Sequence, residues 1–403
     1  MRKFDITYFF GPTAEYVVTD KCVADIKDSG ITLTQLCCDT ETNKKALEVM
    51  KKYGLRADVC DPRISKIFLE KDFENADEAV KSVVEDYKDF DNIEGWHITD
   101  EPSSDEFPIL KAIVDAFRRY SPEKETDINL FPMYAKLGNE LADTSYTAHL
   151  EHFAEIVNPH HISYDHYHFF GRANTPEEAE DVSERERLIF EAAKKYEGRS
   201  GFFENAEEIR RVGLKYDIPQ MLIVLLVEHG DYRNLTFGEL SWEVNMSLAY
   251  GFRRISYFTY WLPSGEEHRA ARWRWDNSMC DAEGNKFRHY YDVQKINRTI
   301  APVGEILFDK KSLEVFHIGE LETGTRAFES FGGINKIDGN NAVIGFFEDG
   351  LIYLVNRDFT NENTFTVHTD KKLSAYKDGS FESVGNDYIV NLKAGEAVLL
   401  KID

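Results

Sequence analysis

Apolar residues come in short, nearly continuous runs from residue 4 to about residue 300. Longer stretches separate the runs, and in these the apolar positions recur every three or four residues. The short runs read as strands buried on both faces, and the longer stretches as amphipathic helices packed against them. Eight strands are expected, at residues 4–10, 31–38, 55–60, 93–99, 127–131, 161–168, 220–227 and 254–261. Strands alternating with helices predict a parallel sheet with helical crossovers. Eight such units in roughly 300 residues match a closed (β/α)8 barrel. A doubly wound open sheet competes with this arrangement, but usually carries a glycine-rich loop after its first strand. Gly11-Pro12-Thr13 does not resemble one.

Helix ends are marked by their own residues. Thr40 is placed to cap a helix running to Tyr53 and closed by Gly54; Ser103 or Ser104 caps the helix after the fourth strand. Thr175-Pro176-Glu177-Glu178 reads as a capping box with proline at the first helical position. A further helix is expected at 236–250, closed by Gly251. Beyond residue 300 helical periodicity stops. Short strands are expected at 343–347, 351–355, 364–367, 388–392 and 397–400, with turns such as Glu348-Asp349-Gly350 and Lys377-Asp378-Gly379 between them. The chain therefore divides into a barrel over 1–302 and an all-β unit, a sandwich, over 303–403.

Composition narrows the partners. With 403 residues, 42% of them hydrophobic, the chain can bury a large core. A net charge of -24 argues against a nucleic-acid face, which must be basic, and against docking on an anionic membrane. No run approaches the roughly 20 apolar residues of a membrane helix. The start, Met1-Arg2-Lys3-Phe4-Asp5, lacks the long apolar stretch of a signal peptide, so a cytoplasmic location is expected. The five cysteines are odd in number and form no CxxC pair, which suggests buried free thiols in a reducing compartment. Oligomeric state is left open, a homo-oligomer included.

In such barrels the reactive side chains follow the carboxyl ends of the strands. Two positions stand out. Asp100-Glu101-Pro102 follows the fourth strand, and Glu228 ends the apolar run of the seventh. Two carboxyl groups facing each other across a barrel mouth are what glycoside hydrolysis needs: one protonates the leaving oxygen, and in a retaining enzyme the other attacks the sugar. Glu101 is the expected acid/base and Glu228 the expected nucleophile, with no cofactor.

Asp100-Glu101-Pro102 and Glu228 resemble clan A of the glycoside hydrolases, whose catalytic glutamates lie on strands four and seven. The clan's commoner motif is Asn-Glu-Pro, so Asp100 departs from it; a carboxylate there accepts a hydrogen bond but cannot donate one. The segment 248–258 resembles the run before strand eight in family 42-type β-galactosidases, and Asp281–Asn285 with Tyr291 and Asn297 the segment that closes such barrels. The resemblance implies a β-linked carbohydrate substrate. It also implies an aromatic platform at Trp261 and a tyrosine near the nucleophile, at Tyr164 or Tyr167.

Other residues fit a sugar site. Asp61 and Arg63 follow strand three. Asp165, His166 and His168 cluster on strand six, and the two histidines alternate onto one face. They are candidates for substrate hydrogen bonds; the same set could instead hold a metal in a hydrolase or isomerase. Trp96 reads as core, and Trp273 and Trp275 as side wall or core alike. A third reading is a carbohydrate-binding barrel without catalysis, which would need neither glutamate.

Overall fold

The computed structural model describes residues 3–138, 140–171, 199–264 and 274–402. Eight strands form one parallel sheet: β1 (Asp5–Phe9), β2 (Leu33–Leu36), β3 (Arg56–Val59), β4 (Ile93–Asp100), β5 (Glu125–Leu130), β6 (Ile162–Asp165), β7 (Gln220–Leu225) and β8 (Arg254–Phe258). Their order is β1-β8-β7-β6-β5-β4-β3-β2, so chain neighbours are sheet neighbours throughout. The outer members meet where the Thr32 N–H donates to the Ile6 carbonyl at 2.9 Å, which nearly closes the barrel. β2, β5, β6 and β7 are buried at every position. Helices cover one face of each strand and the packed interior the other, which is why these segments read as apolar runs.

All eight expected strands are present, with shifted ends. β6 stops at Asp165, three residues short, and β5 begins two residues early, at Glu125. Asp39, not Thr40, caps helix Thr40–Lys52: its carboxylate accepts from the N–H groups of Glu41 and Thr42. Ser103 caps as expected, in a reciprocal box with Glu106. Thr236 and Glu239 form another box at helix Phe237–Ala249, and Gly251, at φ 83°, ends that segment. The box at Thr175–Glu178 and the side chain of Trp273 lie outside the described residues.

The last barrel helix, Arg288–Leu307, runs across the expected division at residue 302. After it come β9 (Ser312–Ile318), β10 (Lys336–Asp338), β11 (Ala342–Phe347), β12 (Leu351–Asn356), β13 (Asn363–His368), β14 (Leu373–Lys377), β15 (Ser380–Ser383), β16 (Asp387–Leu392) and β17 (Ala397–Ile402). They form a six-stranded sheet, β15-β14-β17-β12-β11-β9, and a three-stranded sheet, β10-β13-β16. Phe346, Ile352, Leu354 and Leu400 of the first meet Phe365 and Val367 of the second in one apolar core, making a sandwich. β9, β10, β14 and β15 go beyond the expected five strands; β10 has three residues and β15 one apolar side chain, too little to signal a strand.

Helix Phe237–Ala249 is buried at every residue from Glu239 onward, because the barrel covers one side and the six-stranded sheet the other. Trp242 Nε1 donates to the Arg357 carbonyl at 2.9 Å, and the Tyr353 hydroxyl to Asn245 Oδ1 at 2.6 Å. A Cβ at Gly345 would stand 2.1 Å from the Ala249 carbonyl oxygen, so the sheet reaches the helix only with glycine there. No described helix is long and apolar enough to cross a membrane.

Candidate active site

A change of register places the first acidic pair. Between His97 and Thr99 the pairing of β4 with β5 slips, so Asp100 stands opposite Asn129. Such an irregularity re-aims the side chains that follow it. Glu101 then adopts a left-handed backbone, φ 50°, which costs a non-glycine residue free energy unless the surroundings hold it. Its N–H donates to the Asn129 carbonyl at 2.8 Å.

Asn129 also holds the side chains together. Its Nδ2 donates to Asp100 Oδ1 at 2.9 Å and to Asp165 Oδ1 at 3.1 Å. Its Oδ1 accepts from the Ser163 hydroxyl at 2.8 Å. That hydroxyl donor and the two carboxylate acceptors fix which end of the amide is nitrogen. Glu101 lies within hydrogen-bonding reach of Asp165. Three carboxyl groups from β4 and β6 thus converge beside one amide from β5.

Their protonation follows from this crowding. Burial, and then the charges of Asp165 and Asp100, push the Glu101 carboxyl up to about 9. Burial and Asp100 push Asp165 up to about 7, against the bond from Asn129. Asp100 is open to the cavity but ringed by protein; desolvation raises it, and Asn129 opposes the rise. Both carboxyls are therefore raised, Glu101 the more, and the pair keeps a proton near neutrality.

The three acids open into a cavity of about 540 Å3 walled by Phe9, Tyr134, Tyr167, His229, Tyr232, Phe258 and Trp275, with Ile223 behind. Tyr167 stacks on Phe258 with centroids 5.3 Å apart, and Trp275 on His229 at 4.4 Å. Arg199 lies 3.9 Å over the Tyr134 ring and donates to the Tyr232 hydroxyl at 2.8 Å. Carboxylates set among ring faces suit a ligand that has hydroxyl groups on one side and C–H surface on another.

Of the residues expected from the sequence, Asp100, Glu101, Asp165 and Tyr167 meet in this cavity, and Trp275 joins its wall. Glu228 is not among the residues lining it. Its backbone pairs with Asp276, and its Oε2 accepts from Asn277 Nδ2 at 2.6 Å; the next residue, His229, is the one turned inward. Asp61 caps helix Pro62–Glu70 and is bonded by Arg63, Thr40 and Tyr87, while Arg63 also reaches Ser82 and Asp86. That pair is a structural knot. Trp261 is 2% exposed and packs on Tyr16 and Tyr260, so it offers no platform. Tyr164 is buried against Phe252. Trp96 stacks on Phe117 in the core.

The histidine pair is corrected by where β6 ends. Asp165 points inward to Asn129, whereas His166 bonds Asn205 at 3.1 Å and meets Phe202, and His168 stacks on Trp242 at 4.9 Å. Asp165, His166 and His168 therefore do not converge, and the described residues contain no group of three side chains placed to hold a metal. Burial keeps both histidines neutral, His166 down to about 3 and His168 to about 4. Asn129, Tyr134, His229 and Tyr232 went unread in the sequence. Asp127 and Asn129, two polar residues separated by Ile128 in a buried strand, were the available signal for the first.

No protein-family model matches the chain, and no curated protein matches it. Solved structures do. A structure described as a glycoside hydrolase aligns at 11% identity and a TM-score of 0.59, covering 99% of this chain and 92% of its own. A family 5 glycoside hydrolase from Bacteroides vulgatus aligns at 11% identity and 0.59, covering 99% and 89%. A β-galactosidase from the psychrophilic Marinomonas ef1 aligns at 10% identity and 0.52, over 76% of this chain and 62% of the enzyme's length. The likeness is one of fold, and the first two alignments run through both the barrel and the β unit of this chain.

Proposed function

We propose that this chain is a glycosidase that hydrolyses a β-linked glycoside with retention, Glu101 serving as acid/base and Asp165 as the attacking carboxylate. The observation that carries this reading is the meeting of Glu101, Asp165 and Asp100 around Asn129 in a cavity walled by rings. Where two carboxyls share a pocket and their affinities for the proton are pushed apart, the weaker acid donates and the stronger one stays charged. Glu101, held up at about 9, protonates the leaving oxygen; Asp165, at about 7, meets the positive charge that grows on the anomeric carbon. Water, activated by the deprotonated Glu101, then releases the sugar. Inverting enzymes keep their carboxyls roughly 6.5–9.5 Å apart to seat a water. Glu101 and Asp165 stand within hydrogen-bonding reach of each other, too close to seat a water between them, which speaks against inversion. The β linkage follows the clan resemblance and the neighbouring β-galactosidase fold. The ring walls fit sugar stacking.

The sequence resemblance alone would give the attack to Glu228. The test is direct: aryl glycosides of about a dozen sugars are offered to the wild type, Asp165→Asn, Glu228→Gln and Glu101→Ala. The reading requires that Asp165→Asn abolish turnover, that Glu228→Gln retain it, and that azide restore Glu101→Ala as a glycosyl azide of unchanged anomeric configuration. Loss in Glu228→Gln with turnover kept in Asp165→Asn would return the role to Glu228. Unchanged turnover in every variant would refute hydrolysis at this site.

A further inference from the structure

Strands β2 and β3 end side by side at the barrel mouth. Leu36 pairs with Val59, and the Cys60 N–H still donates to the Leu36 carbonyl at 2.8 Å. The ladder thus continues one step and sets Cys37 beside Cys60. Adjacent strands lie about 4.7–4.9 Å apart, inside the roughly 4.4–6.8 Å between Cα atoms that a disulfide spans. Alternation puts both side chains on the inner face of the sheet, since Asp58, two before Cys60, pairs with Arg254 inside the barrel. Both thiols line a cavity of about 510 Å3 with Cys38, Ser65 and Lys66, which gives a small reagent a way in.

We propose that Cys37 and Cys60 are a reactive thiol pair, Cys60 attacking and Cys37 resolving, which a hydroperoxide closes into a disulfide. The Cys37 S–H donates to the Cys60 sulfur. That bond, against the effect of burial and with help from the His97 charge and the Ser65 hydroxyl at 3.6 Å, brings the Cys60 thiol down to about 6; Asp61 opposes it weakly. His97 carries that charge because Asp127 bonds it at 2.7 Å and, although burial resists, raises it to about 9. Burial holds the other thiols up, Cys22 to about 12 and Cys38 and Cys280 to about 11.

In the first step the Cys60 thiolate attacks the terminal peroxide oxygen. The O–O bond breaks, an alcohol leaves with one proton, and Cys60 becomes a sulfenic acid. Cys37 then attacks that sulfur, and the hydroxyl departs as water with the Cys37 proton. Two thiols lose two electrons and the peroxide gains them.

The test needs no knowledge of the sugar. The native protein is treated with limiting tert-butyl hydroperoxide and mapped by mass spectrometry. A loss of two hydrogens at a Cys37–Cys60 crosslink, reversed by dithiothreitol, is expected. Native alkylation at pH 7 should label Cys60 about 10-fold or more faster than Cys38. Cys37→Ser should leave Cys60 as a sulfenic acid that dimedone traps. A Cys38–Cys60 crosslink, or Cys60 alkylation no faster than Cys38, would overturn the proposal.

Discussion

The floor and the mouth of the barrel use the same acids differently. Toward the floor, Asp5 and Glu94 are bonded by Arg56, Glu125 and Asp58 by Arg254, and Asp127 by His97 and His161. Burial works against ionisation there, yet Arg254 and His161 hold Glu125 down to about 2, and the two histidines hold Asp127 well below the carboxylate range. At the mouth, Asp100 and Asp165 are held by a neutral amide, and the acids rise instead. Asp58 marks the boundary: fully buried and sharing Arg254 with Glu125, it is pushed up to about 8. A buried acid with a cation of its own is held as charge, and removing that cation is costly. One left with a neutral partner and acidic neighbours keeps a mobile proton, which is what general acid catalysis needs.

The contrast predicts opposite mutant behaviour. After the loss of turnover in Asp165→Asn, the largest effect is expected in Glu101→Gln, where loss of the proton donor should lower kcat by about 10²–10⁴-fold on poor leaving groups, and by much less on dinitrophenyl glycosides. The same variant should unfold at a higher temperature. Between its unfolded value and about 9, the native Glu101 holds a proton that the unfolded chain has released, so stability falls as pH rises through that window. Neutralising the residue should recover about 1 kcal/mol near pH 8. A thermal melt that moves downward would contradict the assignment.

Arg254→Met should do the reverse. It leaves Asp58 and Glu125 buried without their cation, at a cost of about 3–5 kcal/mol, read as a shifted urea midpoint. Turnover per folded molecule should change little; a large fall in kcat with an intact midpoint would mean the floor takes part in the chemistry.

The pH profile of kcat/KM should be a bell, its acid limb near 7, where Asp165 takes up a proton, and its alkaline limb near 9, where Glu101 loses one. Asn129→Ala removes a bond that favours the Asp165 carboxylate and should move the acid limb upward. An unmoved limb would detach Asp165 from the rate. The smallest effect is at the wall: Trp275→Ala should weaken substrate binding by about 0.5–1.5 kcal/mol, seen mainly in KM, whereas Trp261→Phe, buried away from the cavity, should leave KM unchanged.

Much of this could be read along the chain. Strand and helix periods are local consequences of which faces are covered, so the eight β/α units, the sandwich, the cap at Ser103 and the Gly251 end of helix Phe237–Ala249 were legible. Asp100-Glu101 was legible as well, because a proline-ended strand leaves its last acids at the rim. Sequence and structure part where a side chain's direction depends on a distant segment. Glu228 is drawn aside by Asp276 and Asn277, about 50 residues further on. His166 and His168 were assigned by period two, but the period lapses once β6 stops pairing at Asp165. Composition and spacing thus settled the kinds of element and the end of the barrel that carries acids. Which acids meet was decided by one register slip in β4 and by Asn129 on the neighbouring strand. Those are relations between chain segments, and no single stretch of residues contains them.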